Sequence, residues 1–391
     1  MNIFNRILTI FFGICSCFSF CFCHSNNEPE PVHQTCKRTI LIYMVANNSL
    51  GVGNYDTNDI NEMVQASMDY GFNNGRLIVY HAPYNQNPTL LEIKDGKIEI
   101  LKQYDQTQLS VSATRMQEVI SDTKMHAPAD DYGLILWSHA NGWLQNGITP
   151  NPTKTIQNET HIERPLAFGE DQGKYMNITT LNDVVIDKNF SFIYFDCCYM
   201  GTIEVAYQLR HATPYIIASA PEIPANDMPY DYNLPLLFAD IPMLKDACIN
   251  TFDYYNIQKG INRSCAISLI NTQHIEELAQ ATVAIYKLQP PLPIGFNPQK
   301  YTLDANCYYF DFGQYVEALS TNYPELLTDW TNAINKVIIY KASTPYMWNK
   351  LKIEHHSGLS TFIIDDITKA TTKGYDQLQW WTDVANKLFI K

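Results

Sequence analysis

A chain of 391 residues with 46% hydrophobic and 17% charged side chains can bury a sizeable core and falls outside the disordered class. Its formal charge of -13 repels phosphate backbones, so nucleic acid is not an expected partner. The cysteines beyond the N-terminal segment (Cys36, Cys197, Cys198, Cys248, Cys265 and Cys307) match no zinc spacing and no disulfide framework.

Residues 1–17 read as an export signal. A basic start at Asn5-Arg6 precedes the apolar run Ile7 to Ile14, too short to span a bilayer as a mature helix. Ile14-Cys15-Ser16-Cys17 then follows the pattern of a bacterial lipobox, which makes Cys17 the lipidated residue; Cys21 and Cys23 are alternatives that follow bulky Phe20 and Phe22. Residues 18–36 are a polar tether. The expected location is outside the cytoplasm. With lipidation the protein is held in the cell envelope, at the outer membrane or in the periplasm; with a plainly cleaved signal it is secreted. Membrane contact is expected through the lipid anchor alone.

Arg38 to Ala46 is an apolar, β-branched run that reads as a strand buried on both faces. Asp59 to Met68 reads as a helix, and Arg76 to His81 as a second strand. Leu91 to Leu101 alternates around Asp95-Gly96, a hairpin signal. Thr114 to Ile120 reads as helix and Tyr132 to His139 as the third buried strand. Residues 144–176 are polar and irregular. Phe190 to Cys197 is the fourth strand, Gly201 to Arg210 a helix, and Pro214 to Ser219 the fifth strand. Beyond residue 235 the pattern turns more helical, with strands still expected at Ala266 to Ile270 and Gly358 to Ile364. Buried strands alternating with helices predict an α/β fold, a mostly parallel sheet covered on both faces. Residues 37–234 would form the core, and residues 235–391 would complete the sheet and add helices.

In such a sheet, ligands sit beyond the carboxyl ends of the strands. Two of those ends carry reactive groups: Ser138-His139 and Asp196-Cys197-Cys198. If the two strands are neighbours, an imidazole and a thiol emerge together, a Cys–His arrangement for nucleophilic catalysis. The helix after Gly201 would bring its amino end, which favours a thiolate, near Cys198.

Ser138-His139-Ala140-Asn141-Gly142-Trp143 resembles the His-Gly-x-Gly-Trp turn of the clostripain family of cysteine peptidases. Phe195-Asp196-Cys197-Cys198-Tyr199-Met200-Gly201 resembles that family's Asp-Ala-Cys-Leu-Met-Gly nucleophile motif. Leu41 to Asn48, Asp59 to Met63 and Ser357 to Phe362 are similar to further blocks of the family, so the resemblance runs from about residue 38 to 365. It implies a caspase-like fold, Cys198 as nucleophile and His139 as its base. Alternation agrees with Cys198, because Cys197 would face the opposite side of an extended segment. The resemblance further implies an oxyanion hole built from the backbone N–H groups of Ala140 and Cys198, with Ala140 where the family usually has Gly. It implies cleavage after Arg or Lys, with Asp196 as the acid of the S1 pocket. The loop Ser219 to Pro224 resembles the family's pocket wall, whereas Asp227-Met228-Pro229-Tyr230 departs from the family's continuation, and Glu222 and Asp227 are candidate additional acids there. No cofactor is required. Some family members use calcium, and no EF-hand-like loop occurs in this sequence. Self-processing is expected between Gln145 and Lys174, at Lys154, Arg164 or Lys174. The expected partners are therefore peptide or protein substrates with a basic P1 residue. The alternative is a catalytically impaired peptidase fold acting as a binding lipoprotein, motivated by Ala140 and the altered pocket loop.

Overall fold

The structure, a computed structural model, describes residues 35–145, 167–226, 228–304 and 307–390. Cys36–Val45 forms β1, a strand buried at every position but Lys37, and apolar from Ile40 onward because helices cover both of its faces. The chain turns through α1 (Ser49–Val52) into α2 (Tyr55–Asp69), which lays Ile60, Met63 and Ala66 on the sheet. β2 (Arg76–Ala82) leads to the hairpin of β3 (Thr89–Lys94) and β4 (Lys97–Gln103). Asp95 and Gly96 at its turn both have positive φ, as a two-residue turn of primed type requires. α3 (Ala113–His126) and β5 (Ala129–Trp137) follow. Three short strands come next: β6 (Ala140–Asn141), β7 (Ala167–Asp171) and β8 (Lys174–Met176).

α4 (Ile178–Val185), β9 (Phe190–Asp196), α5 (Ile203–Gln208), β10 (Tyr215–Ala218), α6 (Tyr230–Leu237), α7 (Leu244–Asn256) and β11 (Ala266–Asn271) continue the alternation. The rest comprises α8 (Ile275–Tyr286), β12 (Phe310–Asp311), α9 (Phe312–Leu319), α10 (Pro324–Val337), β13 (Ile338–Ser343), the hairpin β14 (Tyr346–Met347) and β15 (Leu351–Lys352), β16 (Ser360–Thr361) and α11 (Gln379–Asp383).

The main sheet has nine strands in the order β13-β11-β10-β9-β5-β1-β2-β3-β4. Its centre, β10-β9-β5-β1-β2, is parallel, and antiparallel strands close both edges. One face buries residues of α3, α4, α5, α8, α9 and α10, among them Met116, Leu181, Ile203, Leu278, Phe312 and Ile334. The opposite face buries Ile60 and Met63 of α2, Leu234 of α6 and Ala247 of α7. Residues Gln34–Lys391 form one compact unit.

Two expectations shift. The segment Gly358 to Ile364 does not join the main sheet. Only Ser360–Thr361 is strand, paired with Phe310–Asp311, and its neighbours bond to α5 instead. The edge strand β13, unforeseen in the sequence, follows α10 without a break. Val337-Ile338-Ile339-Tyr340 is one apolar run with no Gly or Pro to mark the change of period.

Candidate active site

The strands that end in the imidazole and the thiol are hydrogen-bonded neighbours. β5 and β9 run parallel with Trp137 opposite Asp196, so His139 and Cys198 each lie two residues past the last paired position, on one edge. Both side chains are half-buried.

The histidine turn is held from three directions. Ser138 Oγ donates to Val45 O (2.7 Å) and accepts from Glu170 N (3.1 Å), and Asn48 Nδ2 donates to Val45 O (3.0 Å) and Glu170 O (2.8 Å). Gly169 N–H donates to His139 O (2.9 Å). That bond makes Ala140 and Phe168 a non-hydrogen-bonded pair of the β6–β7 ladder and turns the Ala140 N–H away from it. The hydroxyl of Ser49, from α1, lies 2.7 Å from His139 Nε2. Burial pushes the His139 pKa below its ordinary value, favouring the neutral ring. Ser49 is a contact the sequence reading missed. The available signal was its position, four residues past the end of β1 and beside β5 at the same edge.

The cysteine turn is built on a non-glycine residue at positive φ, Tyr199 (φ 61°). Tyr199 N–H donates to Pro221 O (3.1 Å) and Gly201 N–H to Ser219 O (2.7 Å). A side chain at Gly201 would meet the Ser219–Ala220 backbone at 2.7–2.8 Å, which accounts for glycine at that position. Cys197 packs into the core at 1% exposure on the α5 side, while Cys198 faces the loop after β10. Ile223 N lies 3.5 Å from Cys198 Sγ and Ile223 O lies 4.0 Å from it. The expected helix-dipole support is small. α5 starts only at Ile203, is six residues long, and Thr202 already takes the Val205 N–H (3.1 Å).

Asp196 faces the other side of the sheet from Phe195, at 3% exposure, and lines a small, largely apolar cavity with Tyr194, Ile223, Pro224, Met228 and Tyr255. Its carboxyl accepts from Met228 N (3.0 Å) and Tyr230 OH (2.8 Å). Burial nevertheless pushes its pKa up to about 7. Asp59, on α2, accepts from Trp137 Nε1 (2.7 Å), and burial, with the charge of Asp196 second, raises it to about 9. Glu222 lines a separate cleft with Tyr199, Pro221, Thr302 and Asp304. Asp227, Cys17 and the processing positions Lys154 and Arg164 lie outside the described residues; Lys174 begins β8 and is exposed. Among the described residues, no group of three or more His, Cys, Asp or Glu side chains is arranged to hold a metal.

The model of the clostripain family, Peptidase C11, matches residues 42–365. The chain belongs to the clostripain family of cysteine peptidases. An inactive zymogen C11 protease from Parabacteroides distasonis superposes with a TM-score of 0.75 at 27% identity, covering 90% of this chain and 99% of that one. A secreted C11 cysteine protease from Bacteroides thetaiotaomicron, solved with an irreversible peptide inhibitor, gives a TM-score of 0.75 at 26% identity over 89% and 98%. A further secreted C11 protease from the same organism shares the fold (TM-score 0.74, 20% identity, 90% and 100% coverage). No curated protein matches the chain. The caspase-like sheet expected of a clostripain relative is the one described above. The two blocks on which the resemblance rested are the two turns that meet at its edge. No described helix is long and apolar enough to cross a membrane.

Proposed function

We propose that this clostripain-family protein is an exported endopeptidase that hydrolyses peptide bonds after Arg or Lys. The observation that supports this reading is the β5–β9 register, which pairs Trp137 with Asp196, each two residues before His139 and Cys198 respectively. Cys198 gives its proton to His139 and attacks the scissile carbonyl. The oxyanion is met by the N–H groups of Ala140 and Cys198. His139 then protonates the departing amine, and a water molecule, deprotonated by the same ring, releases the acid product and restores the thiol. Asp196, at the wall of the apolar cavity beside Ile223, would pair with the P1 guanidinium or ammonium. The proposal requires no cofactor, and repeating the assay with a chelator tests whether calcium contributes.

The test is hydrolysis of two fluorogenic peptides, with Arg or Asp at P1, by the wild-type chain and by Cys198→Ala. Cysteine-dependent cleavage of the Arg peptide alone is the expected outcome. If neither peptide is cut after trial proteolytic activation, the second reading stands, a binding lipoprotein on this fold. The occupied carboxyl of Asp196 and the loop backbone against Cys198 Sγ speak for that reading. Anchoring through Cys17 is tested by palmitate incorporation, which Cys17→Ser should abolish.

A further inference from the structure

We infer that Tyr309 is a positioning residue that holds the His139 turn and the Cys198 turn in one register, an inference that rests on those two residues being the reacting pair. Tyr309 lies over a hundred residues beyond either turn, just before β12, and is 3% exposed. Its hydroxyl donates to Asn141 O (2.8 Å), two residues after His139, and also touches the Asn141 side-chain oxygen position. One hydroxyl has one proton to give. The pair is satisfied when it donates to the backbone carbonyl and the Asn141 amide is turned so that its NH₂ donates to the hydroxyl.

The ring of Tyr309 stacks flat on Tyr199, one residue after Cys198, with centroids 4.4 Å apart and planes 15° apart. The two turns also touch directly at this point. A side chain at Gly142 would come within 2.7 Å of Tyr199 O and 3.1 Å of the Tyr309 ring. One side chain therefore grips both turns, by its hydroxyl on one and its ring face on the other. Tyr309 is itself held at its backbone, where its carbonyl accepts from Tyr301 N (2.9 Å).

The two turns come from separate strands, and beyond Trp137 and Asp196 the sheet no longer pairs them. Tyr199 sits in the left-handed region, a conformation costly for a bulky residue, and so needs outside support. Stacking on Tyr309 supplies it. Loss of the hydroxyl grip would let the imidazole drift relative to the thiol, and misplacement by about 1 Å can cost about 10²-fold in rate.

The experiment compares the full chain with Tyr309→Phe, which keeps the stack and loses the hydroxyl. Peptide hydrolysis gives kcat and KM. The rate of Cys198 alkylation by iodoacetamide against pH, read by mass spectrometry of the Cys198 peptide, reports thiol–imidazole coupling without any turnover. Tyr309→Phe should lower kcat about 10- to 100-fold with KM within about two-fold, and shift the alkylation profile to higher pH. Asn141→Ala, which removes part of the grip from the other side, should move the same readouts in the same direction by less, and it decides the matter if Tyr309→Phe does not fold. A folded Tyr309→Phe with wild-type kcat and alkylation profile overturns the inference, as does a change confined to KM. If the wild-type chain cleaves no peptide, the peptidase proposal has failed, and the alkylation profiles still test the grip: identical profiles overturn it.

Discussion

At Asp196 the sequence and the fold pull on one carboxyl in opposite directions. Burial favours the protonated form, while the Met228 N–H and the Tyr230 hydroxyl favour the charged one, and the balance lies at about 7. A cationic P1 residue binds the ionised carboxylate. The ratio of kcat/KM for an Arg peptide to that for a neutral P1 peptide should therefore rise with pH through about 7 and level off above it. The ratio cancels the ionisation of the Cys–His pair, which both substrates share. Asp196→Asn should flatten this dependence and lower the ratio by about 30-fold or more, the cost of unpairing a buried charge. An unchanged ratio in Asp196→Asn would remove this residue from P1 recognition. Strand alternation was enough to put Asp196 on the opposite face of the sheet from Phe195. Its partners, 32 and 34 residues further on, were not legible, because no local pattern links a strand end to a loop that returns over it.

At the scale of elements, the turn after β5 depends on Gly142. Its φ is 59°, and an added methyl would meet Tyr199 O at 2.7 Å. Gly173 offers a control, with φ of 70° and nothing within 4 Å of an added methyl. Both Gly→Ala changes carry the left-handed cost of about 1–2 kcal/mol. Gly142→Ala should lower Tm further and should also depress kcat/KM, because it forces apart the two turns that carry His139 and Cys198. Equal Tm losses and equal activities in the two variants would count against contact between the turns as a constraint. The buried central strands, the Asp95-Gly96 hairpin and helix α2 were legible because each declares itself within a short window of period 2 or 3.6. β13 was not, and for β16 the strand was legible but not its partners. β13 continues an apolar helix face without punctuation, and β16 gains its partners from β12 and α5.

At the scale of the molecule, the C-terminal part closes the site. Ser360 N–H donates to Gly201 O (2.9 Å), Trp143 packs on Phe362 and Tyr375, and Gln145 N–H bonds Lys373 O (3.0 Å). Glu204 joins the halves. Fully buried on α5, it accepts from Thr361 Oγ1 (2.8 Å), Phe362 N (2.9 Å) and Tyr375 OH (3.2 Å). Burial raises its pKa to about 7 despite these donors. The folded state thus holds this proton more tightly than the unfolded chain does. Its contribution to stability is complete below the ordinary Glu value and is lost as pH rises through about 7, a loss of up to about 3 kcal/mol. Glu204→Gln should remove this slope from denaturant unfolding measured between pH 4.5 and 8. A slope unchanged in Glu204→Gln would assign the pH dependence to other groups.

By itself the sequence determined the alternation of buried strands and helices and the two strand ends followed by the turns carrying His139 and Cys198. Those properties follow from local periodicity and from residues contiguous in the chain. Tertiary structure decided what surrounds them: Ser49 against the imidazole, Ile223 against the thiol, Met228 and Tyr230 on Asp196, and Tyr309 across both turns. Each of these contacts joins residues from 25 to more than a hundred positions apart, and each depends on how loops return over the sheet edge. Sequence spacing carries no record of that return, because it is set by the packing of whole elements rather than by the preferences of any one segment.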